Sequence, residues 1–533
     1  MSQLQASLDK YLAKHPKPEG VVFKYGTAGF RTVATHLDYV NYTVGIVASL
    51  RSKYYKGQVV GVMVTASHNP PQDNGAKIID PLGTMLQSDW EVLATKLANA
   101  GHDQLHSQIM EIVDELKIDL SAPSKTVIAR DSRGSSPELS QSTIDGFNSV
   151  PNTTVVDCGL FTTPQLHYVT RCLNEPEFGE PTEEGYYKKL ADSFVQIYDL
   201  CQNENKIDIT IDAANGVGAP KIKDLVEKYL SKQITFSLAN ADYNSPDLLN
   251  FDCGADFVKT NQRLPKNVTE VKQNKLYASF DGDADRLICY YHDKNDRFKL
   301  LDGDKLATLM ALFFQQLFKN IPDLQLNIGV VQTAYANGSS TKYIEEGLKL
   351  PVRCTPTGVK HLHHEAENFD IGVYFEANGH GTVIFKPEAE AKLFAYKPKN
   401  EKEQKSISIL QQFTKLINQT VGDAISDLLA VLIIVHYLNL TPEDWDKSYT
   451  DLPNRLIKVV VPDRSIFKTT NAERTLVEPV GLQGKIDELV SKYPQARSFV
   501  RASGTEDAVR VYAEAAKTED AIKLAQEVGE LVK

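Results

Sequence analysis

Residues 59–70 read VVGVMVTASHNP. Six residues without a charge, from Val59 to Val64, have the length and β-branched content of one strand buried on both faces. They run into Ser67, His68, Asn69 and a proline that stops regular structure. Stretches of the same character recur at 127–129, 153–156, 207–211, 328–331 and 371–375, with helical patterns between them. Repeated strand, loop and helix units predict an α/β protein whose mixed or parallel sheets are flanked by helices. In such folds chemistry gathers in loops beyond the carboxyl ends of strands, and that is where the unusual sequences fall.

At about 150 residues per domain, 533 residues predict three to four domains. Polar stretches at 174–187, 291–298 and 439–451 read as linkers and divide the chain into 1–180, 181–295, 296–445 and 446–533. Strand signals at 457–461 and 509–513, then a helical stretch at 519–532, make the last segment a smaller α+β domain.

Lys plus Arg number 58 against 69 Asp plus Glu, a net charge of −11, so nucleic acid is not an expected partner. An anionic small substrate would need a local basic pocket. The six cysteines lie far apart without a C-x-x-C pair, which favours reduced, buried thiols over a zinc site or a disulfide framework. The N-terminus carries a helical stripe of Leu4, Leu8, Tyr11 and Leu12 rather than an apolar signal-peptide core. The longest apolar run, 428–440, is too short to span a bilayer, and a cytoplasmic location without a membrane partner is expected. Oligomeric state is not legible.

Four constellations carry the chemistry. Ser67 at a strand tip beside His68 is placed for presentation, although T-A-S-H-N-P also suits a plain turn. The G-x-S-x-G elbow of serine hydrolases is missing. Asp281-Gly-Asp283-Ala-Asp285-Arg286 puts three carboxylates at alternate positions, a repulsion of about 4 kcal/mol per close pair at an effective dielectric near 20. A hard divalent cation such as Mg²⁺ resolves it, since the donors are all oxygen. An EF-hand is excluded because its sixth and twelfth positions would be Arg286 and His292. Arg501-Ala-Ser503-Gly504-Thr505-Glu506, with Arg510 beyond, suits an anion cradle or an ordinary turn. Glu376-Ala-Asn378-Gly-His380-Gly alternates polar and small residues, as a grip on a polyhydroxylated ligand would, and 355–360 brings Thr357, Gly358 and Lys360 to a turn before a helix. His361, His363 and His364 look metal-like but lack an acidic partner at a fixed spacing.

In this order the four resemble the α-D-phosphohexomutase superfamily, over nearly the whole chain. The stretches 25–31 (YGTAGFR) and 212–218 (DAANGVG) add to it. FEANGHGT at 375–382, TGVKHLH at 357–363 and NQTVGDAISD at 418–427 look like its eukaryotic branch acting on N-acetylglucosamine phosphates. The resemblance implies four domains around a central cleft and a phosphorylated Ser67, with Mg²⁺ held between it and Asp281, Asp283 and Asp285. It implies that Arg286 steadies the transferring phosphate. The substrate would meet Thr27, Arg31, Thr357, Gly358, Glu376 and Asn378, and its phosphate would meet Arg501, Ser503, Gly504, Thr505 and Arg510. For the general base His380 is preferred over His68 and Lys360. The implied reaction interconverts N-acetylglucosamine 6-phosphate and 1-phosphate through a bound 1,6-bisphosphate and supplies UDP-N-acetylglucosamine synthesis. Rivals are a glucose or mannose phosphate mutase and an inactive metal-binding scaffold. Ala502 stands where many relatives have proline.

Overall fold

Strand Val59–Val64 lies inside a five-stranded sheet and all six of its residues are buried, as its apolar run requires. The computed structural model describes residues 3–26, 28–203, 205–503 and 507–533, so the expected binding residues Thr27, Gly504 and Thr505 lie outside the described residues. The chain divides into two compact units, residues 1–300 with 412–437, and residues 301–411 with 438–533.

The first unit holds two mixed sheets. In one, Val59–Val64, Ser124–Arg130 and Thr153–Leu160 are parallel neighbours, and Asp73–Ile79 runs antiparallel between Val59–Val64 and Phe30–Val33. In the other, Ile234–Ala239, Ile207–Asp212 and Tyr277–Phe280 are parallel, followed by antiparallel Leu287–His292 and then Phe298–Leu301. The expected linker at 291–298 is therefore mostly the end and turn of a hairpin inside this sheet, its polar residues serving the turn.

The second unit repeats the plan. Val352–Thr355, Ile328–Thr333 and Ile371–Phe375 are parallel, and Gly381–Phe385 pairs antiparallel with the last. Residues 454–514 supply the antiparallel sheet Asn454–Val460, Ala508–Glu514, Arg497–Ala502, and a separate hairpin of Lys468–Thr470 with Thr475–Glu478. Helix Thr518–Leu531 packs on this sheet, which makes the C-terminal part α+β as the sequence predicts.

Each of the three larger sheets is thus a set of parallel strands with one antiparallel neighbour added by a short hairpin. The connections after Val59–Val64, Tyr277–Phe280 and Ile371–Phe375 carry the serine, triple-aspartate and Glu376 motifs, and Arg501 lies near the end of strand Arg497–Ala502. The serine, triple-aspartate and Glu376 motifs thus follow strand carboxyl ends in hairpin connections, whereas Thr357, Gly358 and Lys360 stand where strand Val352–Thr355 leads into helix Val359–Ala366.

Residues 412–437, within the third expected segment, belong by contact to the first unit. Their helix Ala424–Tyr437 is apolar on every side, with Leu428 through Ile434 buried, and packs against Glu183–Tyr198 and Leu287–His292. Among the described residues no helix is long and apolar enough to cross a membrane. All six cysteines are free thiols, three of them buried.

Candidate active site

Ser67 is buried and its backbone is left-handed, φ 51°, a conformation that a non-glycine residue adopts at an energetic cost. What holds it there is a set of bonds to its own loop. Its N–H donates to Thr65 Oγ1 at 3.0 Å, and Thr65 donates to Asp131 Oδ2 at 2.8 Å. Arg133, fully buried and paired with Asp131, donates to the carbonyls of Ser67 at 2.9 Å, Asn69 at 2.8 Å and Pro70 at 2.6 Å. Asn250 adds a donor to the Ser67 carbonyl at 2.9 Å.

So aimed, Ser67 Oγ donates to Asp281 Oδ2 at 2.7 Å and to Asp285 Oδ1 at 3.2 Å. The two loops are more than 200 residues apart in sequence and pack so closely that a Cβ at Gly282 would lie 2.8 Å from the Ser67 carbonyl oxygen. Three consecutive carbonyls of the acidic loop each receive an N–H from a helix start. Val217, just before Gly218–Leu225, donates to Gly282 at 3.2 Å; Thr163, first in Thr163–Asn174, donates to Asp283 at 3.2 Å; Ala424, first in Ala424–Tyr437, donates to Ala284 at 3.0 Å. The positive ends of the three helix dipoles therefore face the cluster of carboxylates. Thr163 sits correctly because Thr162 and Gln165 form a capping box with Pro164 in the first turn.

Asp281, Asp283 and Asp285 are buried with carboxylate oxygens within 4.8 Å of one another. Burial and the charges of Asp285 and Asp283 push the Asp281 carboxyl well above the usual range. Lys77 answers part of this charge, with Nζ 3.3 Å from Asp283 Oδ2 and 3.1 Å from Asp285 Oδ2. Burial lowers the lysine and the two carboxylates raise it by more, so it stays cationic. Thr163 Oγ1 bonds Asp283 Oδ2 at 2.6 Å, while the buried Asp283 Oδ1 has no hydrogen-bond partner among the described residues. An all-oxygen set of three carboxylates with an unspent buried oxygen fits Mg²⁺.

Arg286, Arg31 and His68 complete this site. Arg286 Nε lies 3.8 Å from Asp281 and 3.9 Å from Asp285. Arg31 is held by Asn69 Oδ1 at 3.2 Å, and its buried Nε has no partner among the described residues. His68 is pushed down to about 2 by burial and by Arg286 and Arg31, so its imidazole is neutral. Cations gathered around a buried hydroxyl make a place for a phosphoryl group.

In the second unit the Glu376 motif folds as a tight turn. Glu376 N–H donates to the His380 carbonyl at 2.8 Å, and His380 N–H donates to Asn378 Oδ1 at 3.0 Å. Glu376 accepts from Asn378 Nδ2 at 3.3 Å and from the Gly358 N–H at 3.2 Å, so the expected sugar grip and the 357–360 turn meet. His380 is buried in this turn, and Lys360 stands half-buried in the first turn of helix Val359–Ala366. Of the histidine cluster, His363 pairs with Tyr374 and Glu367, and His364 with Glu367.

Arg501 and Arg510 are register partners on antiparallel strands, a like-charge pairing that an anion relieves. Ser503 follows, its N–H on the Ala508 carbonyl at 2.8 Å. The sequence reading missed Glu473, whose carboxylate accepts from Arg501 Nε at 2.8 Å and from the Thr357 N–H at 2.9 Å. It also missed Lys77, Thr163, Arg133 and Asn250. For Lys77 a signal existed, a lysine inside the otherwise buried strand Asp73–Ile79; the other three are ordinary polar residues until the chain is folded.

Comparison with known proteins agrees with this geometry. The families described as "Phosphoacetylglucosamine mutase AMG1" domain II and domain III match residues 179–288 and 302–440. Domain I and the C-terminal domain of phosphoglucomutase/phosphomannomutase match 30–105 with 93–179, and 456–531. The phosphoacetylglucosamine mutase of Candida albicans is 69% identical, covering 99% of this chain and 100% of that one. A crystal structure of an N-acetylglucosamine-phosphate mutase in its product complex superposes with a TM-score of 0.98 at 69% identity, covering 100% of both chains. The Aspergillus fumigatus enzyme in complex with GlcNAc-6P and magnesium gives 0.95 at 49% identity, covering 100% of this chain and 99% of that one.

Proposed function

Since the chain belongs to the phosphoacetylglucosamine mutases of the α-D-phosphohexomutase superfamily, we propose that Ser67 is the carrier through which its phosphoryl group passes. The reaction is the interconversion of N-acetylglucosamine 6-phosphate and N-acetylglucosamine 1-phosphate through a 1,6-bisphosphate, the supply step for UDP-N-acetylglucosamine. The family membership sets aside both the inert scaffold and a mutase dedicated to glucose or mannose phosphates.

The observation that carries the Ser67 assignment is its hydroxyl, buried and 2.7 Å from Asp281 inside a ring of cations. In the forward direction the bond between Ser67 Oγ and phosphorus breaks as one forms to the free sugar hydroxyl. The sugar hydroxyl gives its proton to the assigned base while Ser67 Oγ leaves as an alkoxide and takes up one proton, so the step neither gains nor loses a proton overall and restores the hydroxyl that donates to Asp281. Arg286, Arg31 and Lys77 hold negative charge on the phosphoryl oxygens in either direction. Asp281, Asp283 and Asp285 are the ligands assigned to Mg²⁺, which when bound neutralises phosphate charge and acts as a Lewis acid.

His380 is the assigned proton acceptor, from its place in the sugar turn, with Lys360 second. His68, held neutral, serves as a hydrogen-bonding contact to phosphate rather than as a base. Glu376 and Asn378 are assigned to sugar hydroxyls and the acetamido group, with Thr357 and Gly358 beside them. Arg501, Ser503 and Arg510, with Thr27, Gly504 and Thr505 from the sequence, are assigned to the substrate and its phosphate. The four segments 1–180, 181–295, 296–445 and 446–533 would then supply the serine, metal, sugar and phosphate functions in turn. A cytoplasmic location belongs to the same reading.

The test is phosphorus NMR with N-acetylglucosamine 6-phosphate, Mg²⁺ and a trace of hexose 1,6-bisphosphate. A sugar 1-phosphate resonance is expected with the native protein and none with Ser67→Ala; normal turnover by Ser67→Ala ends the assignment.

A further inference from the structure

Glu473 occupies an unusual position. It sits at the tip of the hairpin joining Lys468–Thr470 to Thr475–Glu478, where Asn471, Ala472 and Glu473 have φ of 53°, 54° and 66°. Alanine and glutamate seldom adopt this left-handed conformation, and here two stand in a row. The tip so formed sends the side chain out of its own hairpin. Oε2 accepts from the Thr357 N–H at 2.9 Å and from Thr357 Oγ1 at 2.6 Å, and Oε1 accepts from Arg501 Nε at 2.8 Å. Tyr335 also interacts with Arg501. One carboxylate therefore bridges the turn beside the sugar grip and the first residue of the anion cradle. Its side chain keeps 16% exposure, so solvent and ligands reach it.

We propose that Glu473 is a built-in stand-in for the substrate phosphate, a latch that engages Arg501 and Thr357 while the site is empty and is displaced when a sugar phosphate arrives. The inference rests on the reading of Arg501 and Thr357 as substrate-binding groups. A phosphate offers more charge and more acceptor oxygens than a carboxylate, and with Arg510 directly opposite Arg501 the site favours the more highly charged ligand. The latch also suits a reaction whose bisphosphate must leave this cradle and return by its other end. Arg501 passes from phosphate to carboxylate rather than from phosphate to no anion at all, so letting go is easier. Affinity for the phosphate is lowered in proportion to the latched fraction, the usual consequence of a site that is competent only part of the time.

A prop would behave in the opposite way. If Glu473 merely held Arg501 in its binding position, its removal would weaken substrate binding, whereas removal of a competitor strengthens it. The experiment uses the full-length enzyme with Glu473→Gln and Glu473→Ala, beside Arg501→Ala. It measures KM and kcat for N-acetylglucosamine 6-phosphate, the inhibition constant of inorganic phosphate, and the rise in melting temperature that inorganic phosphate produces. The two Glu473 variants should lower KM and the phosphate inhibition constant by about 3- to 10-fold and enlarge the thermal shift, without raising kcat. Arg501→Ala should raise both constants. Unchanged or raised constants in the Glu473 variants, with Arg501→Ala still raising them, overturn the latch and leave the phosphate site standing. No change in Arg501→Ala overturns the phosphate-site reading itself, and the latch with it.

Discussion

The N–H of Ala424 donates to the carbonyl oxygen of Ala284 at 3.0 Å, tying the start of a helix from residues 412–437 to the middle of the acidic loop. Ala284 is left-handed, φ 56°, and its carbonyl is one of the three that helix starts hold in place. Behind Ala424 stands Asp423, which accepts from the N–H groups of Ile425 and Ser426, from Tyr186 at 2.8 Å and from Asn418 at 3.0 Å. This hub is the physical content of the 418–427 motif.

Loosening the hub should loosen the acidic loop proposed to hold Mg²⁺. Tyr186→Phe removes one donor to Asp423 and keeps the ring, at about 1 kcal/mol for a lost hydrogen bond. The Mg²⁺ concentration needed for half-maximal activity, and the Mg²⁺ dissociation constant from calorimetry, are expected to rise several-fold, with kcat recovered at saturating Mg²⁺. A loss of kcat that Mg²⁺ does not restore, with the dissociation constant unchanged, would remove the hub from the metal loop.

Lys77 is one of the cations already present among the carboxylates. Lys77→Met leaves Asp283 and Asp285 buried beside Asp281 without it, and breaking a buried pair on one side costs about 3–5 kcal/mol. Melting in EDTA should show a large fall in stability, and added Mg²⁺ should recover more of it than it adds to the native protein. Equal Mg²⁺ responses in the two would show that Lys77 does not share the charge load.

The N-terminal helix is fastened by a charge that depends on pH. His15 stacks on Tyr42 at 4.7 Å and contacts Asp38 at 2.9 Å and Asp145 at 3.4 Å, with Lys14 also 3.7 Å from Asp145. Burial lowers the imidazole, and Asp38 followed by Asp145 raises it further, leaving it above its ordinary value of 6.5. A raised histidine adds stability in full below the unfolded value and loses it as pH rises through the folded one. His15→Gln should therefore cost more melting temperature near pH 6 than near pH 8.5; a penalty that grows with pH would contradict the pairing.

Gly303 has no room for a side chain. A Cβ there would lie 1.8 Å from the Glu376 carbonyl oxygen, at the turn proposed to hold the sugar. Gly303→Ala is expected to push this turn aside and raise KM for N-acetylglucosamine 6-phosphate about tenfold or more, as misplacements near 1 Å do. An unchanged KM would show that Glu376 does not define the sugar site.

The sequence alone determined the alternation of elements, because a strand buried on both faces must be apolar along its length and Val59–Val64 is. It also marked Ser67, the three aspartates, Glu376 and Arg501 as candidates, since polar and charged residues at strand ends stand out against apolar strands. Only the folded chain decided what these residues touch. Arg133, Asn250, Thr163, Lys77 and Glu473 act across separations that no local pattern records, as Thr163 on Asp283 and Glu473 on Thr357 show. Strand and helix propensities are local, whereas the packing that brings one loop's carboxylate to another loop's hydroxyl follows from how whole sheets bury their faces, and that is settled only in three dimensions.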